Sequence, residues 1–236
     1  MGAVGLLVSD FIISFMWMWS GALIKIFVNK FLGLGHQTSG EVIKCVLSII
    51  NMFFFAFLGK ITKGGTYNPL TVLAGAISGN FSRFLFDVGA RIPVQVLGSI
   101  TGVRLIIETF PEIGLGSYLK VDIHRGALTE GFLTFVIVII SLSLATKIPG
   151  SFFMKTWISS VSKLTLHILG SDLTGGCMNP ASVMGWAYAR GEHITKEHIL
   201  VYWLAPIEAT LLAVWIFRLV LKPIKEEKAN MKRKSE

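Results

Sequence analysis

One short pattern, two glycines followed two residues later by Asn-Pro, occurs twice in this chain. It reads GGTYNPL around Asn68 and Pro69, and GGCMNPA around Asn179 and Pro180. Asn is a favoured helix N-cap, Pro is favoured at the first helical position, and glycines permit a tight turn. Each copy therefore predicts a loop that turns directly into a helix, although a single copy would fit an ordinary loop turn equally well.

The rest of the chain is too apolar for an ordinary soluble domain. Of its 236 residues 53% are hydrophobic and only 15% are charged, and the mean hydropathy is +0.66. A membrane-spanning helix needs about 20 apolar residues. Six candidate stretches lie at 4–24, 42–59, 84–107, 126–146, 152–170 and 199–221. The sequence therefore predicts an all-α, multi-pass integral membrane protein.

The net charge of +8 does not indicate nucleic-acid binding, because most lysines and arginines lie between the spans and in the tail, 222–236. The first stretch lacks a basic n-region and contains Asp10, so we expect it to remain as a span. Cys45 and Cys177 lie in separate halves of the chain and have no metal-ligand spacing. We expect no disulfide, no metal and no cofactor.

The chain contains an internal duplication. Residues 61–77 match residues 172–188 at an offset of 111, which aligns both glycine pairs and both Asn-Pro pairs. Each half, about 1–110 and 120–221, holds three spans and one Asn-Pro segment. Because three is odd, the halves have opposite orientations, as in inverted repeats that form a site at the bilayer midplane. We expect one domain over 1–236.

The segments after the two asparagines are each about ten residues long, which gives ~15 Å of helix, or half a bilayer. Irregular backbone at that depth is tolerated where it lines a water-filled cavity or is buried in protein. Two half-helices meeting at the midplane would direct both positive ends to one place, which disfavours cations and protons. Asn68 and Asn179 would cap their helices through oxygen and offer amide N–H donors to a passing molecule.

Basic residues predict the orientation of the chain. More of them flank the side that holds both termini, so both termini are expected in the cytosol. The one glycosylation sequon, at Asn80, would then face the cytosol and stay unmodified.

With these motifs in place, the chain resembles the aquaporins of the major intrinsic protein family over most of its length. The NPL and NPA motifs, the basic tail and the stretch KIPGSFFMKTW are most similar to the plant small basic intrinsic proteins of the second type. The resemblance implies six tilted helices plus two half-helices, a pore in each subunit of a homotetramer, and residence in the endoplasmic reticulum. Lys232 and Lys234 also form a KxKxx retrieval pattern in the tail.

The family also implies a narrow selectivity filter on the outer side of the pore. Its spacing carries over to Ser48, His167, Gly176 and Ser182. An arginine usually follows the second motif, and water-selective members have a bulky aromatic residue where this chain has Ser48. The filter is therefore expected to be wide and weakly charged. His167 could instead be a packing histidine.

Lys163 lies one helical turn before His167, so both side chains project from one helix face. We expect Lys163 to line the pore and to replace part of the missing cation barrier. The alternatives are a buried pair with an acid such as Glu208, or a side chain that snorkels to the interface.

The repeat offset adds further candidates along the path. Ser159 corresponds to Ser48, and Ala56 corresponds to His167. Leu70 stands where the second motif has Ala181, and its bulk could narrow the centre of the pore. Tyr67 either adds a hydroxyl near the path or packs the loop.

Asp10 and Glu130 are acids within the first and fourth spans, one in each half. They lie in separate repeats, so a shared catalytic site is not expected, and the family implies that each accepts hydrogen bonds from the loop of its half-helix. The sequence predicts a passive channel, not an enzyme, for water and other small neutral solutes. The alternative is a structural membrane protein that keeps the fold but conducts poorly.

Overall fold

The computed structural model describes residues 2–35, 37–77, 81–116 and 119–221, and within these ranges the regular structure is helical. Eight helices are used below: α1 (Ala3–Phe31), α2 (Thr38–Ile61), α3 (Pro69–Ile77), α4 (Phe81–Thr109), α5 (Ile123–Thr146), α6 (Phe152–Ser171), α7 (Pro180–Arg190) and α8 (Lys196–Val220). Wider π-helical turns occur within α1, α4 and α8 at Phe27–Phe31, Asp87–Arg91 and Leu200–Leu204. All six predicted spans are helices, and the two Asn-Pro segments are short helices of 9 and 11 residues.

Five of the long helices, α1, α2, α4, α5 and α8, are long and apolar enough to cross a membrane. The sixth, α6, has 20 residues, which give about 30 Å of helix. It is more polar than the others because Lys155 and Lys163 alternate with serines and threonines along it. The largest difference from the predicted bounds is in α1, which continues past residue 24 to Phe31. Lys25 is accommodated there because its Nζ donates to the Ile113 carbonyl at 3.2 Å.

The two halves of the chain pack in the same way. In the first half α1 packs against α4, and in the second half α5 packs against α8. Each half-helix also contacts the last long helix of the other half, so that α3 packs on α8 and α7 packs on α4. This reciprocal packing confirms the inverted repeat and places α3 and α7 inside the ring of long helices.

Close helix contacts depend on glycine at particular positions. A Cβ built on Gly98 of α4 would lie 2.4 Å from the Phe11 carbonyl oxygen of α1, and one built on Gly185 of α7 would lie 2.9 Å from the Ser99 carbonyl oxygen. These backbones approach more closely than any side chain would allow. Apolar clusters fill the remaining interfaces, with Met18, Val103 and Ile106 among the buried residues between α1 and α4.

Outside the membrane-spanning segments, side-chain caps define where the second half begins. Asp122 accepts hydrogen bonds from the backbone N–H groups of His124 and Arg125, each at 3.1 Å, and so starts α5. The bond from Arg125 holds the pKa of the Asp122 carboxyl below its usual value. Ser151 caps α6 in the same manner by accepting from the Met154 N–H.

Candidate functional site

The N-terminal ends of α3 and α7 meet inside the bundle, and each is capped by its own asparagine. Asn68 Oδ1 accepts a hydrogen bond from the Leu70 backbone N–H at 2.9 Å, and Asn179 Oδ1 accepts from the Ser182 N–H at 3.4 Å. These are N-cap bonds, which satisfy donors that the first helical turn leaves free. The positive ends of both helix dipoles are therefore brought to the same place.

A reciprocal pair of hydrogen bonds joins the two ends. Asn68 Nδ2 donates to the Met178 carbonyl at 2.8 Å, and Asn179 Nδ2 donates to the Tyr67 carbonyl at 3.3 Å. Each acceptor is the residue immediately before the other asparagine. Met178 adopts a φ of +47°, a conformation that costs energy for a residue with a side chain. One N–H of each asparagine thus holds the two half-helices together.

Ser182 engages the second N–H of Asn179. Its Oγ lies 2.7 Å from Asn179 Nδ2 and accepts from it. A side-chain amide has only two N–H groups, so both of those on Asn179 are in use. Among the described residues, the Asn68 amide donates only to Met178. The sequence predicted that each asparagine offers an N–H donor to a passing molecule. Asn179 differs, because the Ser182 hydroxyl accepts a hydrogen bond from its second N–H.

Asp10 anchors the loop that precedes α3. It is fully buried, and its Oδ1 accepts from the Thr66 backbone N–H at 2.8 Å. Arg91 of α4 forms a two-point ion pair with it, from Nε to Oδ2 at 2.7 Å and from Nη2 to Oδ1 at 3.1 Å. Arg91 also donates to the Gly64 carbonyl at 2.6 Å and pairs with Asp87 at 3.3 Å. One buried network therefore ties α1, α4 and this loop together.

Glu130 anchors the loop that precedes α7, and in the described part of the chain it forms no ion pair. Its Oε1 accepts from Thr174 Oγ1 at 2.6 Å and from the Cys177 N–H at 2.9 Å, and its Oε2 accepts from the Met178 N–H at 2.9 Å. The Tyr202 hydroxyl of α8 donates to the Thr174 carbonyl at 2.8 Å. The second loop is therefore held by neutral donors, whereas the first is held by an arginine.

A cavity of about 530 Å³ lies between the half-helix junction and the side of the bundle where α2 and α5 end and α6 begins. We refer to it as the vestibule. Residues from five helices and from the loop before α3 line it, and they include Ala56, Tyr67, Gly75, Arg91, Ser159 and Lys163. The four further pore-lining candidates from the sequence, Ala56, Tyr67, Ser159 and Lys163, therefore share the wall of one cavity.

Tyr67 forms an aromatic cluster on the vestibule wall next to Asn68. Its ring stacks on Trp17 of α1 with centroids 3.9 Å apart and planes 7° apart, and Phe55 of α2 contacts it edge-on at 5.4 Å. The Lys163 Nζ lies 5.8 Å from the centroid of the same ring, within the range of a cation–π contact. Tyr67 thus packs the loop and also presents its ring to the cavity.

The sequence left open a buried pair between Lys163 and Glu208. The structure does not form it, because Glu208 lies exposed on the outer surface of α8, and within the described ranges no ion pair involves Lys163. Lys163 lies instead on the vestibule wall against Tyr67.

His167 lies one turn beyond Lys163 on the same face of α6, and it is brought against Gly176. Its Nδ1 is 3.2 Å from the Gly176 carbonyl oxygen. Gly176 has a φ of +53°, and a Cβ there would lie 2.5 Å from the His167 carbonyl oxygen. Only glycine fits this position, so the approach of the second loop to α6 depends on it.

Ser48 lies on α2, one helical turn before Met52. Met52 and Ala56 line the vestibule from this helix, and Ser48 is half-buried one turn further along the same face. Neither Ser48 nor His167 is among the residues that line the vestibule, and His167 contacts the second loop at Gly176.

Leu70 does not project into the vestibule. Its side chain is 3% exposed, and Ala181 at the equivalent place in α7 is fully buried. Leu70 therefore packs within the protein and does not line the vestibule, and narrowing of the path at the junction itself stays a prediction. Asn80, Lys232 and Lys234 lie outside the described residues.

Sequence reasoning missed Arg91 and Trp17. A signal for Arg91 was present, because Asp87 and Arg91 are four residues apart in an apolar stretch, and charges inside a membrane helix require partners. Trp17 gave no such signal, since an aromatic residue in an apolar span is ordinary. Its stacking on Tyr67 depends on how closely α1 approaches the loop.

Comparison with known proteins adds an independent line of information. The sequence profile of the family described as "Major intrinsic protein" matches residues 2–217. The chain is 64% identical to "Probable aquaporin SIP2-1" of Arabidopsis thaliana over the whole length of both chains. It is 52% identical to "Aquaporin SIP2-1" of Oryza sativa subsp. japonica, covering 98% of this chain and 94% of that protein. Among solved structures, the aquaglyceroporin from Plasmodium falciparum shares the fold with a TM-score of 0.75 at 16% identity, over 94% of this chain and 98% of that one.

Proposed function

The chain belongs to the major intrinsic protein family, and from that premise we propose that it is a passive membrane channel for water and other small neutral solutes. Solutes would move down their own gradients, so no energy source is needed. The chain is a multi-pass membrane protein and not an enzyme.

One observation supports this proposal most directly. The vestibule extends from one end of the bundle to the place where the two half-helices meet. Backbone that is irregular at the centre of a membrane protein is stable when it lines a water-filled path. The residues before Asn68, including Gly65, Thr66 and Tyr67, line the vestibule in this way.

Selectivity would come from two levels along the path. Asn68 would offer its second N–H to a passing water oxygen, while the two helix dipoles and Lys163 would disfavour cations. Ser48, His167, Gly176 and Ser182 would form the outer filter. Three of these four side chains are small or absent, so we expect solutes somewhat larger than water to enter.

Osmotic shrinkage of vesicles containing the purified full-length chain tests the proposal. Stopped-flow light scattering would compare water, glycerol and hydrogen peroxide in protein-containing and empty vesicles of the same lipid and size. The proposal expects faster water movement than in empty vesicles and at least a detectable flux of one larger solute. Rates equal to those of empty vesicles for all three would identify a non-conducting scaffold with the same fold.

We further propose that the protein resides in the endoplasmic reticulum with both termini in the cytosol. The basis is the KxKxx pattern at Lys232 and Lys234 and the distribution of basic residues. A fluorescent protein fused to the N-terminus leaves the tail free. Replacing both lysines by serine is expected to shift the fusion to later membranes, and an unchanged location would show that the tail does not retain it.

A homotetramer is the assembly that we propose. The outer surface carries many exposed apolar side chains, such as Val46, Ile50 and Trp157 on α2 and α6, which either lipid or a neighbouring subunit would cover. Light scattering coupled to size-exclusion chromatography, corrected for detergent, would give four chains per particle. A mass of one or two chains would contradict the proposal.

A further inference from the structure

Two lysines of α6 line the vestibule, and neither has an acidic partner among the residues that the structure describes. Lys155 and Lys163 both lie on its wall, and within the described ranges neither ammonium group forms an ion pair or a hydrogen bond. The cation–π contact of Lys163 with the Tyr67 ring offsets only part of the free-energy cost of placing a charge inside a membrane protein. Such a charge ordinarily faces an acid, a counterion or water.

The one acid that the described residues contribute to the vestibule wall is already paired. Asp87 accepts from Arg83 at 3.3 Å and from Arg91 at 3.3 Å, and Arg91 is shared with the buried Asp10. Among the described residues, the wall carries four cationic side chains and this single acid. An excess of positive charge in a cavity with apolar surroundings concentrates anions, because the low dielectric strengthens the field inside it.

The polar groups near the two lysines could complete an anion site. Thr156, Ser159 and Ser160 lie on α6 between Lys155 and Lys163, and all three line the vestibule. The two lysines are eight positions apart in the helix, which corresponds to ~12 Å along its axis. An anion entering from the open end would therefore meet Lys155 first and Lys163 at depth, with hydroxyl donors between them.

We propose that the vestibule is a binding site for a small oxyanion, a carboxylate or a phosphate, held chiefly by Lys163 with Lys155 nearer the entrance. The inference rests on the proposed function, because the anion enters only if the vestibule opens to solution as a channel requires. The bound anion lies in the path that water would take and draws the Lys163 ammonium away from Tyr67. Water permeability is therefore expected to fall as the anion saturates the site.

Calorimetric titration of the purified full-length protein tests the site, with sodium phosphate and sodium acetate as probes at constant ionic strength. The variants are Lys163→Met, which keeps the length of the side chain without its charge, and Lys163→Arg, which keeps the charge. Lys147→Met is the matched control, because Lys147 is in the short α5–α6 connection near the same end of the bundle and is absent from the vestibule wall. Lys155→Met gives a second, independent removal of charge.

Saturable binding of at least one of the two anions is expected for the wild type, Lys147→Met and Lys163→Arg. Lys163→Met is expected to weaken it about tenfold or more, as loss of a charge-assisted contact does. The proposal fails if neither anion binds saturably, if Lys163→Met binds as the wild type does, or if Lys147→Met weakens binding as much. If Lys163→Met does not elute as a folded particle, Lys155→Met decides, with weaker binding expected.

Water permeability of the same preparations separates the two proposals. Rapid water flux without anion binding would overturn the anion site and leave the channel in place. Anion binding without water flux would retain the site and overturn the channel. A fall in water flux with rising anion, absent in Lys163→Met, is the result expected if both hold.

Discussion

Arg91 is the side chain on which the first loop depends most. It neutralises the fully buried Asp10, is itself only 4% exposed, and holds the Gly64 carbonyl at the vestibule wall. Arg91→Gln would leave a buried carboxylate without its partner, which costs about 3–5 kcal/mol. We expect a large fall in the thermal midpoint of the detergent-solubilised protein.

Arg83→Gln serves as the control. Arg83 and Arg91 both pair with Asp87, but the Arg83 side chain is 62% exposed. Exposed pairs contribute about 0–1 kcal/mol, so this variant should unfold close to the wild type. Equal midpoints for the two variants would mean that the buried network does not stabilise the fold.

Ser182 accepts a hydrogen bond from the Asn179 amide, whereas the sequence predicted that this amide would offer an N–H to a passing molecule. Ser182→Ala removes the acceptor of the second Asn179 N–H, which would then be available to water. The net contribution of one hydrogen bond is about 1 kcal/mol, which corresponds to a factor of about five. The rise in water permeability should therefore not exceed about fivefold. The measurement is vesicle shrinkage at matched protein content, and a decrease in flux would contradict the role assigned to Ser182.

Individual residues show where sequence reasoning succeeds and where it ends. The role of Asp10 and Glu130 as loop anchors was implied by the resemblance to the aquaporins, and a carboxylate inside a span must in any case find hydrogen-bond donors. The bond from Ser182 to Asn179 was not predictable, since it depends on a side-chain rotamer. The partners of Lys163 were equally out of reach, because they depend on distances between elements far apart in the chain.

At the scale of elements, the contact between α1 and α4 is set by glycine. Gly98→Ala would place a methyl group 2.4 Å from the Phe11 carbonyl oxygen and force the helices apart. Overpacking of this kind costs about 1–3 kcal/mol or more. The thermal midpoint should fall, and the yield of folded protein should fall with it.

Gly21→Ala is the matched control for this prediction. Gly21 is on α1, and nothing lies within 4 Å of a Cβ built there. Alanine is the better helix former by about 0.5–1 kcal/mol, so this variant should be as stable as the wild type or slightly more stable. A loss of stability equal to that of Gly98→Ala would show that steric contact at Gly98 is not the cause.

The helices themselves follow closely from the sequence. Apolar runs predict all six long helices, and Asn-Pro predicts the start of α3 and α7 at Pro69 and Pro180. Their ends are less predictable. In the extension of α1 to Phe31, the ammonium group of Lys25 donates a hydrogen bond to the carbonyl of Ile113, 88 positions further along the chain. The π-helical turns likewise have no signature in the residues that form them.

At the scale of the whole molecule, the internal offset of 111 predicts the architecture, since an odd number of spans in each half dictates inversion. What it does not predict is the asymmetry between the halves. The first loop is held by charged Arg91 and the second by neutral Tyr202. The cationic vestibule lies on the side of the first loop, and its excess of charge arises from contributions by several helices.

Membrane orientation is a further prediction for the whole molecule. Both termini should lie on the same side, because the six long helices cross the membrane an even number of times. In sealed microsomes, protease added outside should remove tags from both ends, if that side is the cytosol as the basic residues predict. Protection of one tag and loss of the other would contradict the six-helix topology.

The central claim is that water passes through the vestibule, and a variant that fills it tests this most directly. Gly75 of α3 lies exposed on the vestibule wall with no atom within 4 Å of a Cβ built there, so Gly75→Phe is expected to direct its ring into the cavity. Gly21→Phe adds the same ring on the outer surface. We expect vesicles with wild-type protein or Gly21→Phe to shrink rapidly under an osmotic gradient, and vesicles with Gly75→Phe to shrink as slowly as empty ones. Shrinkage of the Gly75→Phe vesicles at the wild-type rate would contradict the account.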